Sequence, residues 1–125
     1  MRRATVSGTT ALFCLALWAC DSRAPQHAGE FTIDPGAMER GRALFFEHCA
    51  LCHGERGDGQ GPRRGSLSRR PANFRSPLFD TDPERVRRAI RDGIVGSDMP
   101  GWQRLGDRAV DDLTSYVLAV ARSSQ

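Results

Sequence analysis

Apolar residues recur at three- and four-residue intervals in three segments of the chain, which is the spacing of one face of an α-helix. The sequence contains no convincing strand pattern, so we predict an all-α domain of three or more helices, with the first and last helices crossing. The positions are Met38, Gly41, Phe45 and Cys49, then Val86, Ala89 and Ile90, and finally Val110, Leu113, Val117 and Val120.

Local signals mark where these helices begin. Asp-Pro pairs at 34–35 and 82–83 predict the first two starts, because Asp caps free N–H groups and Pro fits the first helical turn. The last helix is predicted to begin at Gly106 or Asp107. Glycine and proline interrupt residues 54–79, which are therefore predicted to be mostly loop.

The N-terminal stretch is typical of an export signal. A short positive segment precedes an apolar run at residues 4–18, which is too short to span a bilayer comfortably. Residues 17–20 resemble a bacterial lipobox, although Trp18 stands where a small residue is usual. We predict a lipoprotein-type signal peptide at 1–19 and a lipidated Cys20. Ordinary secretory cleavage and an uncleaved anchor are the alternatives.

The remaining chain is predicted to be a tethered single domain. Residues 20–33 are polar and aperiodic, which predicts a flexible tether from Cys20, and residues 34–125 suit one small domain. The formal charge of +3 falls to about +1 without the signal peptide, because two arginines lie in it. This balance gives no support for a nucleic-acid partner.

The candidate chemistry is concentrated in Cys49-Ala50-Leu51-Cys52-His53. The spacing Cys-x-x-Cys-His is the signature of covalent c-type haem attachment, with the histidine placed to bind iron. A thioredoxin-like dithiol would need a βαβ context, and a zinc site would need a second ligand pair. A disulfide framework would need Cys14 and Cys20, which lie in or beside the signal peptide. We therefore predict one covalent haem c.

Haem iron bound by one histidine needs a second axial ligand or an open site, and the methionines are candidates for this ligand. Met99 lies in a loop before Pro100, which restricts Met99 to extended geometry and helps the loop to present a thioether. Met38 is expected to pack on the first helix, and His27 and His48 are weaker candidates. A core-filling role for Met99 is the alternative. We predict that His53 and Met99 bind the metal.

Five arginines fall in one stretch without an acidic residue. Two interpretations stay open: a solvated loop, or a positive rim that steers an acidic redox partner or pairs with haem propionates. The arginines are Arg63, Arg64, Arg69, Arg70 and Arg75.

With these motifs, residues 34–121 resemble the class I c-type cytochromes. The resemblance rests on the attachment motif, on Met99-Pro100, and on the pairs Gly41-x-x-x-Phe45 and Leu113-x-x-Tyr116. It implies that Gly41 lets the first and last helices cross closely, with Phe45, Leu113 and Tyr116 packed there.

The same resemblance implies further haem-site residues. A proline carbonyl in the loop after the motif would accept the free N–H of His53; Pro71 is our candidate, and Pro62 competes with it. The haem contacts implied by the resemblance are Pro71, Trp102, Phe45 and Tyr116.

The function expected is single-electron transfer on the periplasmic face of a bacterial membrane, with no catalysis by the chain itself. The partners would be a quinol-oxidising complex, a terminal oxidase or reductase, or a dehydrogenase, with membrane attachment through lipid. The alternatives are a bound cytochrome c subunit of a larger respiratory oxidoreductase, a haem enzyme or gas sensor with a labile methionine, and a haem-free structural lipoprotein.

Overall fold

The computed structural model describes residues 33–125. The predicted signal peptide, the predicted lipidation site at Cys20 and all of the predicted tether except Ile33 lie outside the described residues. Within the described part the chain is helical and contains no strand, as predicted. The helices are α1 at Pro35–His48, α2 at Ala50–His53, α3 at Pro83–Asp92 and α4 at Asp107–Arg122. Single 3₁₀ turns occur at Arg64–Ser66 and Gln103–Leu105.

Two helices begin as the Asp-Pro pairs predict. The Asp34 carboxylate accepts a hydrogen bond from the Ala37 N–H at 2.7 Å, which satisfies one of the free donors at the start of α1. Asp82 accepts from the N–H groups of Glu84 and Arg85 at 2.9 and 3.1 Å and caps α3 in the same way.

The first and last helices cross at Gly41, as expected. A side chain at this position would overlap the backbone carbonyl of Asp112, so α1 and α4 approach at a distance that only glycine permits. Arg40 donates two hydrogen bonds of 2.8 Å to the Asp112 carboxylate, which is buried. This bidentate pair satisfies a charge that would otherwise be costly to bury.

Aromatic and aliphatic side chains fill the space beside this crossing. The rings of Phe45 and Tyr116 lie 5.1 Å apart, and Leu113 is buried between the helices. Helix α3 packs on the other side of α4, where Arg87 pairs with Asp111 at 2.6 Å. The core therefore depends on α4, whose buried residues include Val110, Leu113, Thr114, Val117 and Leu118.

None of the helices in residues 33–125 is long and apolar enough to cross a membrane.

Candidate haem site

The Cys-x-x-Cys-His motif occupies a short helix of its own. The first helix ends at His48, and Cys49 has φ −116° and ψ −33°, so the chain changes direction before α2 begins at Ala50. The apolar stripe that runs to Cys49 predicts instead that the end of the first helix carries the motif. The break turns the motif toward a cavity of about 560 Å³.

This cavity is bounded by three stretches of chain that lie far apart in the sequence. They are α2 with the residues before it, the loop around residues 63–72, and the loop around residues 94–102. The four residues predicted to attach the haem or bind its iron line it, namely Cys49, Cys52, His53 and Met99. The lining also includes Pro71 and Trp102. A volume of this size is in the range of pockets that enclose an organic cofactor.

His53 is held in one orientation by two neighbours. Its Nδ1 lies 3.2 Å from the carbonyl oxygen of Ala72, and its ring stacks on Phe74 with centroids 4.7 Å apart and planes at 22°. A carbonyl only accepts, so Nδ1 must be the donor and Nε2 keeps the lone pair that a metal requires. Burial lowers the pKa of His53, and the bond to Ala72 opposes this shift. The imidazole is therefore biased toward its neutral, ligating form.

The carbonyl acceptor is one residue later than the resemblance implied. Pro71 lines the cavity, but its carbonyl points toward Gly59, where an added side chain would lie 2.8 Å from it. Because successive carbonyls of an extended chain point in different directions, the Ala72 carbonyl faces His53 instead. Neither Pro71 nor its competitor Pro62 accepts the bond.

The two cysteines are free thiols at the edge of the cavity. Burial, with a smaller contribution from the neighbouring Cys52, raises the pKa of Cys49 to about 12. Burial therefore favours the neutral thiol at Cys49, and both cysteines line the same cavity without being joined to each other.

A compact loop presents Met99 to the cavity. Its backbone N–H donates to the Ser97 hydroxyl at 3.2 Å, and its carbonyl accepts from the Ile94 N–H at 3.2 Å. Gly93, with φ +76°, lies so close to this loop that a side chain would come within 2.7 Å of the Met99 carbonyl. The end of α3 therefore fixes the base of the loop.

The remaining predicted haem contacts divide into two groups. Trp102 lines the cavity, and its ring lies 5.1 Å from the ring of His48. Phe45 and Tyr116 are not among the lining residues and instead pack at the crossing of α1 and α4. Ala72 and Phe74 belong to no motif in the sequence, and proximity to Pro71 is the one signal that points to this stretch.

The arginine-rich loop contributes to the mouth of the cavity. Arg63, Arg69 and Arg70 line it, whereas Arg64 and Arg75 do not. Within residues 33–125 none of the five forms an ion pair. Their positive charge is therefore not neutralised inside this part of the domain.

The donor set fits a haem c and fits zinc poorly. Among the described residues, no group of three or more His, Cys, Asp or Glu side chains is placed to hold a metal ion. Two thiols, one imidazole and one thioether around a single cavity are instead the groups that attach a haem and bind its iron.

Comparison with known proteins agrees with this donor set. The family described as "Cytochrome C oxidase, cbb3-type, subunit III" matches residues 36–117. The chain is 32% identical over 87 residues to the Cbb3-type cytochrome c oxidase subunit CcoP of Azospirillum brasilense. It is 33% identical over 85 residues to the Cbb3-type cytochrome c oxidase subunit FixPc of Rhizobium leguminosarum bv. viciae.

The aligned regions cover 69% and 67% of this chain but 29% and 28% of the two relatives, so the chain spans less than a third of their length. A solved structure, the reducing HAO-like protein complex of Kuenenia stuttgartiensis, contains a chain similar in fold. The TM-score is 0.66 at 25% identity, over 72% of this chain and 46% of that one. The chain belongs to the cbb3-type subunit III family of cytochromes c, which implies one covalently bound haem c.

Proposed function

We propose that Cys49 and Cys52 attach the haem, that His53 and Met99 are its axial ligands, and that the domain passes single electrons without binding a substrate. The observation that carries this proposal is the convergence of all four side chains on one cavity. They come from two segments about fifty residues apart, and a role in packing alone would not require their convergence there.

The chain's own contribution is to hold these ligands and to exclude other ones. Ala72 and Phe74 fix the imidazole of His53 with Nε2 free, and the Gly93-anchored loop presents the thioether of Met99. When bound, the haem supplies a one-electron couple whose potential is raised by a thioether ligand. Since side chains would occupy both axial positions of the iron, no coordination position would remain for a substrate. This arrangement favours electron transfer over catalysis or gas sensing.

The relatives support a place in a larger assembly. Both are named as subunits of a cbb3-type cytochrome c oxidase. We therefore favour a bound cytochrome c component of a respiratory oxidoreductase over an independent shuttle. Extraction in mild detergent tests this choice. Co-purification with large membrane partners would support the bound component, whereas recovery of the chain alone would favour the shuttle.

The N-terminal segment bears on where the domain is located, and the arginine-rich loop bears on the charge of its redox partner. The predicted signal peptide and the predicted lipidation of Cys20 support a location on the periplasmic side of the membrane. Arg63, Arg69 and Arg70 line the cavity and form no ion pair within residues 33–125, which favours a partner surface that is acidic.

Replacing the methionine tests the ligand assignment. In the oxidised haem-loaded protein, Met99→Ala should abolish the far-red charge-transfer band of sulfur–iron bonding. It should also lower the reduction potential, by an amount on the order of 100 mV out of the roughly 0.8 V that axial ligands control. Carbon monoxide should then bind the reduced variant rapidly.

Met38→Ala is the matched control, because Met38 lies on α1 and does not line the cavity. It should leave spectrum and potential unchanged. An unchanged spectrum in Met99→Ala would contradict the assignment, and rapid carbon monoxide binding by the unaltered protein would favour the gas-sensor alternative.

A further inference from the structure

Two loops that line the cavity are joined across its mouth by one carboxylate. Asp98 Oδ2 accepts a hydrogen bond of 2.7 Å from the backbone N–H of Ser68 and one of 2.5 Å from the Ser68 hydroxyl. Ser68 belongs to the arginine-rich loop, and Asp98 directly precedes Met99. The contact therefore connects two segments that are thirty positions apart in the sequence.

The other hydrogen bonds of the Met99 loop stay on its own side of the cavity. Ser97 and Ile94 bond within the loop, and the Trp102 N–H donates to the Ile90 carbonyl of α3 at 3.0 Å. These bonds give the loop its shape and attach its base. In the described part of the chain, the hydrogen bonds between residues 63–72 and 94–102 all converge on the Asp98 carboxylate.

We propose that Ser68 and Asp98 form a latch that positions Met99, keeping its thioether in the cavity against competing ligands. Ser68 and Asp98 are positioning residues: neither lies among the four proposed haem-binding side chains. This inference rests on the proposed ligation by Met99.

The chemistry of the contact suits a latch of moderate strength. A carboxylate that accepts from both a backbone N–H and a hydroxyl makes charge-assisted bonds, which are stronger than neutral ones. Both residues are exposed, so water competes for the same groups and the latch opens readily. Opening would let the Met99 loop move from the cavity as one unit about its attachment to α3.

Exogenous imidazole measures this opening, because it binds the oxidised iron only when the methionine has left. In the haem-loaded protein, Asp98→Ala should raise the rate of imidazole binding about fivefold, the factor expected for losing roughly one net hydrogen bond. Ser68→Ala should have a smaller effect, because the backbone N–H still reaches Asp98. Ser68→Thr, which keeps the hydroxyl, should restore most of the original rate.

Ser66→Ala is the matched control, because the Ser66 hydroxyl bonds to the Arg63 carbonyl within its own turn and touches neither loop partner. It should leave the imidazole rate unchanged. A second measurement needs no metal ligand: amide hydrogen exchange at Ile94 and Met99 should be faster in Asp98→Ala than in Ser66→Ala.

Equal imidazole rates and equal exchange in Asp98→Ala and Ser66→Ala would overturn the latch. Failure of the underlying proposal looks different, because the far-red band would then be absent from the unaltered protein. In that case the exchange measurement still decides whether Ser68 and Asp98 restrain the loop.

Discussion

At the scale of single residues, the orientation of His53 depends on two neighbours, Ala72 and Phe74, that belong to no recognised motif. The Ala72 carbonyl fixes the tautomer, and the Phe74 ring fixes the plane of the imidazole. Phe74 also contacts Phe45 and Phe79, so it links the ligand to the aromatic part of the core. One buried ring thereby serves both the stability of the domain and the geometry of the site.

Replacing Phe74 with leucine tests its contribution to stability and its contribution to the orientation of His53. Phe74→Leu keeps an apolar side chain of similar size but loses the stack, so we expect the free energy of unfolding to fall by about 1 kcal/mol. The imidazole should also become less well ordered. Denaturant unfolding measures the first effect, and the line widths of the His53 ring signals in NMR measure the second.

Phe46→Leu provides the comparison, because Phe46 is the neighbouring aromatic on α1 and is 41% exposed. Its unfolding free energy should change by less than about 0.5 kcal/mol. Equal losses in the two variants would mean that the stack on His53 contributes nothing.

The sequence pointed to Pro71, but the carbonyl that faces His53 belongs to Ala72. A proline marks the turn that brings the loop beneath the histidine, and this much is readable. Which carbonyl faces the ring is decided by tertiary contacts, among them the 2.8 Å bond from the Phe74 N–H to the Gly57 carbonyl. No local pattern carries that information.

At the scale of elements, the helices were the most predictable part. Cap chemistry located the starts of α1 and α3, and apolar periodicity located α4. The break between α1 and α2 was not predicted, because Cys49 continues the apolar stripe and Ala50 favours helix. The loops lack periodicity, so their path around the cavity could not be derived.

The crossing of α1 and α4 gives a sharp test of one element contact. Gly41→Ala would place a methyl group on the Asp112 carbonyl and 3.0 Å from the Tyr116 Cβ, so the helices must separate. We expect a loss of about 3 kcal/mol in the free energy of unfolding, at the upper end for overpacking. Chemical denaturation monitored by far-ultraviolet circular dichroism provides the measurement.

Gly65→Ala is the control, because nothing lies within 4 Å of a side chain added there. It should leave stability within about 0.5 kcal/mol of the original. If Gly41→Ala proved equally harmless, the close helix approach would not be required for folding.

At the scale of the whole molecule, we propose that a lipid on Cys20 attaches the domain to a membrane. We base this proposal on the lipobox-like residues 17–20. Stable anchoring by acyl chains needs more than one chain, and bacterial lipoproteins carry several. With this attachment, the length of the predicted tether at residues 20–33 would set how far the haem cavity can reach from the bilayer surface.

Removing the lipidation site tests this arrangement. When the gene is expressed in a bacterium, Cys20→Ser should move the protein from the membrane pellet to the soluble fraction after a high-salt wash. The wash screens attraction between the arginine-rich loop and acidic surfaces, so it isolates the lipid contribution. Cys14→Ser, inside the predicted signal peptide, should stay in the pellet, and retention of Cys20→Ser would assign the attachment to a partner or an uncleaved leader.

The contact between α1 and α4 also determines when the domain can fold during synthesis. The core closes only when the C-terminal helix has packed against the first one, and domains form as the chain emerges from its N-terminus. The two thiols thus leave the ribosome before the core can close. An assembly enzyme can reach them in that interval without having to unfold a finished domain.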